Sequence, residues 1–210
     1  MKIALSQLNF TTGDFERNTG KMLSHLRQAK SDGVDLIVFP ELSVCGYPPK
    51  DFLEFRDFIE RSRQAALTIA AECKGITAIV GMPTVNPELK GKNLFNSACV
   101  LQDGAIVSTV NKALLPTYDI FDEYRYFEPA GKFKCVVING LKIALTVCED
   151  LWNINDDPMY ISCPMDELIK ESPALMINIA ASPFDYSHDK ERRFILGQNV
   201  HKYGLPLVYV

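Results

Sequence analysis

The sequence predicts an α/β domain built on mixed sheets, and three observations predict it. Strand-length apolar runs alternate with amphipathic helical stretches near both ends of the chain, which is the signature of β-α-β units. Between them lie two hairpin signals, Asp103-Gly104 and Asn139-Gly140, each flanked by apolar runs. A chain of 210 residues with 47% hydrophobic and 23% charged residues has ordinary globular composition and enough length for one sizeable core. Parallel units together with hairpins give a mixed sheet and not a purely parallel one.

In order along the chain, residues 2–8 form a run of strand length. Asp14 is placed to cap the helix that follows, where Met22, Leu23, Leu26 and Ala29 recur at helical spacing, and Gly33 ends it. Leu36-Ile37-Val38-Phe39 reads as a fully buried strand. Residues 52–73 read as a second amphipathic helix and 76–81 as a strand. The hairpin strands are 94–101 with 105–110, and 135–138 with 141–147. A short helix near 166–170, a strand at 174–179, a helix at 190–203 and a strand at 207–210 complete the pattern. No repeat or linker interrupts it, so residues 1–210 are read as one domain. The last residues, Leu207-Val208-Tyr209-Val210, stop within an apolar run, which predicts that the domain is C-terminally truncated.

The formal net charge of −4 argues against a nucleic-acid partner, whose phosphates call for a basic face. No window reaches the roughly 20 apolar residues of a membrane span, and the first residues do not form a signal peptide, so a cytoplasmic location is expected. Six cysteines, at 45, 73, 99, 135, 148 and 163, include no C-x-x-C pair. Free thiols are therefore expected, and no metal site.

Three strands run directly into residues that can do chemistry: Val38-Phe39-Pro40 into Glu41, Thr109-Val110-Asn111 into Lys112, and Leu145-Thr146-Val147 into Cys148. Strand ends converge where α/β folds build pockets. Singly, each residue has a plain structural reading: buried cysteine is common core filler, and a Glu or Lys after a strand is usually solvated. Together they are chemically coherent. Cys148 is the nucleophile, Lys112 a cation for the thiolate and then for the oxyanion, and Glu41 the base. The backbone N–H of Glu149 is a second oxyanion donor. Such a set suits amide hydrolysis through a thioester.

At these residues the chain resembles the nitrilase superfamily, whose members carry a Glu-Lys-Cys triad on an α-β-β-α sandwich. Phe39-Pro40-Glu41-Leu42, Asn111-Lys112-Ala113-Leu114-Leu115-Pro116 and Val147-Cys148-Glu149-Asp150 match its three motifs in order. The stretches Cys45 to Asp51, Leu115 to Phe127, Cys148 to Trp152 and Ile179 to Phe184 are similar to the amidase domain of the glutamine-dependent NAD synthetase family. That resemblance implies glutamine as substrate and ammonia as the product passed through a tunnel to a C-terminal NAD synthetase domain. It also implies a homo-oligomer. ATP and magnesium would serve only that second domain, whose Ser-Gly-Gly-x-Asp-Ser loop is absent here, and this domain would need no cofactor. By the same resemblance Tyr118 and Phe121 wall the glutamine pocket, Tyr47 closes it, and Glu123 stands beside the triad. Glu149 and Ser182 hold the substrate's α-amino and α-carboxylate ends, with Lys190 or Arg192 as the cation.

Two other readings keep the fold: a stand-alone amidase acting on another small amide, and an assembly module whose chemistry is vestigial. A Cys-His hydrolase would need His25, His188 or His201, none of which follows a strand as the trio does.

Overall fold

The two kinds of strand connection sort into two mixed sheets in the computed structural model, which describes residues 1–154, 158–183, 186 and 188–210. The first sheet holds β1 (Ile3–Leu5), β2 (Leu36–Val38), β3 (Thr77–Val85), β4 (Leu94–Gln102) and β5 (Ala105–Asn111), in that order. Its first three strands are parallel and its last three antiparallel. The second sheet holds β6 (Val136–Ile138), β7 (Leu141–Val147), β8 (Leu175–Ile179) and β9 (Leu207–Tyr209). Here β6 and β7 form a hairpin, and β7, β8 and β9 run parallel. Both hairpins turn as their sequences require: Asp103 and Gly104, like Asn139 and Gly140, all have positive φ, the condition of a type I′ turn.

Helix α1 (Phe15–Ser31) starts where the Asp14 side chain accepts the Arg17 N–H at 3.1 Å. Helix α2 is Arg56–Glu72, α3 is Pro164–Leu168 and α4 is His188–Tyr203. The single helix expected over residues 52–73 is two pieces. A 3₁₀ turn, Lys50–Glu54, is separated from α2 by Phe55 in extended conformation. Apolar spacing does not distinguish a terminal 3₁₀ turn from the first turn of an α-helix. Strand β3 also runs four residues past Gly81, the end expected for it, because its antiparallel pairing with β4 continues to Val85 and Leu94.

Alternation along the strands builds three apolar layers. Ile37 of β2 and Val80 of β3 face α1 and α2, meeting Met22, Leu26, Ala66 and Ile69. Leu36, Val38 and Ile79 face the other way, onto Ile143, Leu145 and Val147 of β7 and Ile177 and Ile179 of β8. Ala144 and Met176 on the far side of the second sheet pack against Met165, Leu168 and Leu196 of α3 and α4. The order is helices, sheet, sheet, helices, an α-β-β-α sandwich. With both faces covered, β2 and most of β7 are buried on each side, whereas β5, at the edge of its sheet, is partly exposed along its length. All six cysteines are free thiols, and no helix among the described residues is long and apolar enough to cross a membrane.

Candidate active site

Glu41, Lys112 and Cys148 follow β2, β5 and β7, and all three are buried although two are charged. Backbone packing aims the first. Gly81, in mid-β3, lies so close to residues 40–42 that a Cβ there would sit 2.2 Å from the Leu42 nitrogen and 2.6 Å from the Pro40 oxygen. Leu42 itself takes φ +48°, and Cys148 takes φ +43° at the turn from β7 into the 3₁₀ helix Cys148–Leu151. Left-handed backbone at non-glycine residues stores strain and is held only where surrounding contacts enforce it.

The Lys112 ammonium gives all its protons to carboxylates. Nζ lies 2.7 Å from Glu41 Oε1, and 2.9 and 2.8 Å from the two oxygens of Glu123. The amide of Asn96 on β4 donates to Glu41 Oε1 at 2.8 Å and to Glu123 Oε2 at 3.4 Å. Its own oxygen is buried without a partner. The other oxygen of Glu41 accepts the Ala181 N–H at 2.9 Å, and the Tyr47 hydroxyl donates to Glu123 at 3.3 Å. Burial alone favours a neutral Lys112, but Glu123 and Glu41 outweigh it and hold the ammonium above the ordinary lysine range. Burial pushes the Glu123 carboxyl up, against the pull of Lys112.

Cys148 is held well above the usual thiol range, first by burial and then by Glu41; Lys112 pulls it down, but Glu123 and Glu149 push it up again. One cation shared among carboxylates does not make a resting thiolate. Cys148 therefore rests protonated, and its activation calls for a base to act during attack.

Glu149 is buried and its carboxyl is raised by that burial, while the hydroxyls that donate to it oppose the shift. Those hydroxyls are Tyr118, at 2.9 and 3.1 Å from its two oxygens, and Tyr160 at 3.1 Å. Phe121 packs edge-on against Tyr118, with ring centroids 5.7 Å apart, and tilts toward Tyr47 at 6.5 Å.

A cavity of about 460 Å³ opens beside Glu41, walled by Tyr47, Ala181, Ser182, Arg192, Tyr209 and the segment 7–10 among others. Arg192 donates to Ser182 Oγ at 3.2 Å, leaving its Nε buried and unpartnered. Lys190 is exposed on the same helix and is not in this wall, so of the two candidate cations the structure places Arg192 at the cavity. The reason is helical geometry, since residues two apart point in different directions. Tyr118 and Phe121 are likewise outside the wall of this cavity, grouped with Glu149 instead. A larger cleft of about 850 Å³ includes no triad residue. His25 and His201 are exposed on α1 and α4, while Phe184 and the side chain of His188 lie outside the described residues.

Sequence reasoning missed Asn96 and Tyr160. Asn96 had a signal, a polar residue in the middle of the apolar run Leu94 to Leu101. Tyr160 had none, because its loop carries no periodicity.

With this geometry in view, the relatives are informative. A family model described as carbon-nitrogen hydrolase matches residues 2–156. The chain is 38% identical over 216 residues to a protein from Synechocystis sp. named glutamine-dependent NAD(+) synthetase, covering 99% of this chain and 38% of that protein. A solved glutamine-dependent NAD+ synthetase from Acinetobacter baumannii superposes with TM-score 0.88 at 32% identity, over 99% of this chain and 37% of that one. An amidase from Nesterenkonia sp. has the same fold, with TM-score 0.80 at 19% identity over 100% of this chain and 75% of that one. The chain thus spans little more than a third of the length of the synthetases it matches.

Proposed function

Because this chain belongs to the carbon-nitrogen hydrolase family, we propose that it hydrolyses the side-chain amide of glutamine through a Cys148 thioester and supplies the ammonia to an NAD synthetase domain. The observation that carries this is a fully buried Lys112 ion-paired with both Glu41 and Glu123, in a site where the buried Cys148 thiol feels all three charges. Two carboxylates and a cation kept out of water cost several kcal/mol of desolvation each, which a merely structural site could avoid with apolar side chains.

Glu41 takes the Cys148 proton as sulfur attacks the amide carbon. Once protonated, Glu41 holds Lys112 less tightly, just as negative charge develops on the substrate oxygen. Lys112 Nζ then turns a proton to that oxyanion, together with the N–H of Glu149, which as an early amide of its 3₁₀ turn has no partner within it. Collapse returns the proton from Glu41 to the leaving nitrogen, ammonia departs and a thioester remains. Water, deprotonated by Glu41, attacks the thioester; collapse releases glutamate and the Cys148 thiolate, which takes the proton back from Glu41. Glu123 keeps Lys112 charged and in place throughout.

In this account Glu149, held by Tyr118 and Tyr160, receives the α-ammonium of glutamine, and Ser182 with Arg192 receives its α-carboxylate. Tyr47 and Phe121 flank the entrance. Base, nucleophile and oxyanion cation all come from side chains, so no cofactor is assigned to this domain. Six free thiols suit a reducing compartment, and the cytoplasm is the location we assign.

Ammonia release from glutamine, compared with that from simple aliphatic amides, tests the assignment. Preference for glutamine, lost in Cys148→Ala, is expected. Turnover of aliphatic amides without preference for glutamine would favour a general amidase, and no turnover by a folded, synthetase-linked protein would leave a vestigial module.

A further inference from the structure

Lys112 and Cys148 belong to different sheets, and no strand ladder joins those sheets among the described residues. Interdigitating apolar faces set the sheet-to-sheet spacing, and directional polar bonds between the sheets add to the alignment of the end of β5 with the end of β7.

The side chain of Asp150 spans that junction. It is 2% exposed, two residues past the nucleophile. Its Oδ1 accepts the N–H groups of Ala113 at 2.9 Å and Leu114 at 3.0 Å, the two residues after Lys112. Its Oδ2 accepts the N–H of Val147 at 3.0 Å, the residue before Cys148. One carboxylate therefore holds the main chain on both sides of the site. Three short amide bonds to a charged acceptor in a dry interior are strong and directional. Asp150 is in the wall of neither cavity described above, and its oxygens are occupied by these amides.

We infer that Asp150 is a positioning residue: a carboxylate strut that fixes Lys112 relative to the Cys148 sulfur across the two sheets, and so sets the rate of the attack step without touching substrate. The inference rests on the glutamine-hydrolysing reading, because it is the thiol attack that Asp150 is said to serve. Tethering Val147 also holds Cys148 in its left-handed conformation, together with the Asn178 amide of β8, which donates to the Cys148 carbonyl at 3.3 Å.

A glutamine analogue with a diazoketone in place of the side-chain amide separates the steps, since its half-saturation (KI) reports binding and its limiting rate (kinact) reports attack by sulfur. In Asp150→Asn an amide group replaces one acceptor with a donor, so the Val147 or the Ala113–Leu114 contact is lost while volume is kept. The expected result is a fall in kinact by roughly 10²-fold, as for an ångström of misplacement, with KI within about 3-fold of wild type. Lys112→Met supplies the second arm. If Asp150 acts through Lys112, the asparagine substitution has less than about a third of its logarithmic effect in the Lys112→Met background. Equal effects in both backgrounds, or KI rising in step with kinact falling, would overturn the strut and leave a merely structural residue. Should the asparagine protein not fold, Asp150→Glu keeps the charge and alters the reach. A smaller fall in kinact at unchanged KI supports the inference, and a wild-type kinact overturns it. Failure of the wild type to be labelled at Cys148 would overturn the functional reading and this inference with it, whereas a labelled wild type and an unchanged asparagine variant would sink the strut alone.

Discussion

Two regions of this molecule gather charge, and only one gathers chemistry. Around the wholly buried Lys112, Glu41 and Glu123 each bring carboxylate oxygen within 2.9 Å of the ammonium. Across the surface, the 850 Å³ cleft collects Glu54, Arg56, Glu60, Lys92 and Arg125, all exposed but the half-buried Lys92, and there Arg125 pairs with Asp51 at 3.2 Å and Glu54 at 3.9 Å. The cleft is roomier and has more charges. It lacks desolvation, convergence and a nucleophile. Exposed pairs exchange water for one another at little gain, while buried ones reshape each other's protonation. Burial, and not cavity size or charge number, separates a site from a decorated surface.

The contrast breaks most sharply at Cys148. Cys148→Ala is expected to abolish glutamine hydrolysis, because no other group at the strand ends can form the thioester, and steady-state ammonia release checks this. Lys112→Met should lower kcat by on the order of 10³-fold through loss of the oxyanion cation. Denaturant unfolding of the same variant should show a loss of roughly 3 kcal/mol or more, as two carboxylates are left facing each other without their cation. Gly81→Ala pushes a methyl into the backbone that carries Glu41, and kcat should fall by on the order of 10²-fold at little change in KM.

Asp150 sharpens the comparison through pH. Burial raises its carboxyl to about 6, against the pull of the Leu114, Val147 and Ala113 amides. A carboxyl raised on folding binds more protons in the native state, so its contribution to stability is complete below the ordinary aspartate value of about 4 and is lost as pH rises through about 6. Asp150→Asn does not titrate, and the wild-type minus variant difference in unfolding free energy should fall across that window. A flat difference would contradict it. The smallest effect belongs to the cleft: Arg125→Ala should cost less than about 1 kcal/mol, fading with salt, and leave kcat within about 2-fold. A large loss there would erase the distinction between the two regions.

Much of this was legible in the sequence, for stated reasons. The hairpin turns were readable because Asp-Gly and Asn-Gly tolerate positive φ at both central positions, and both form as expected. The burial of Glu41, Lys112 and Cys148 just past the ends of three strands was readable because each apolar run leads into one of them. What stayed hidden depends on distance in space. Asn96 on β4 bridges the carboxylates of Glu41 and Glu123, and Asp150 reaches across to the segment after Lys112; neither set of partners is near in sequence. How burial and the neighbouring carboxylates raise the Cys148 thiol was likewise invisible, since a motif shows which charges are present but not how many share one cation.

The central claim is that Cys148 is the glutamine-directed nucleophile. Intact-mass analysis of the protein exposed to the diazoketone analogue, followed by peptide mapping, tests it most directly. The account predicts a single adduct on Cys148, absent from Cys148→Ala and suppressed by glutamine, with Cys45, Cys73, Cys99, Cys135 and Cys163 unmodified. An adduct on another cysteine, or labelling of Cys148 that glutamine leaves untouched, would contradict it.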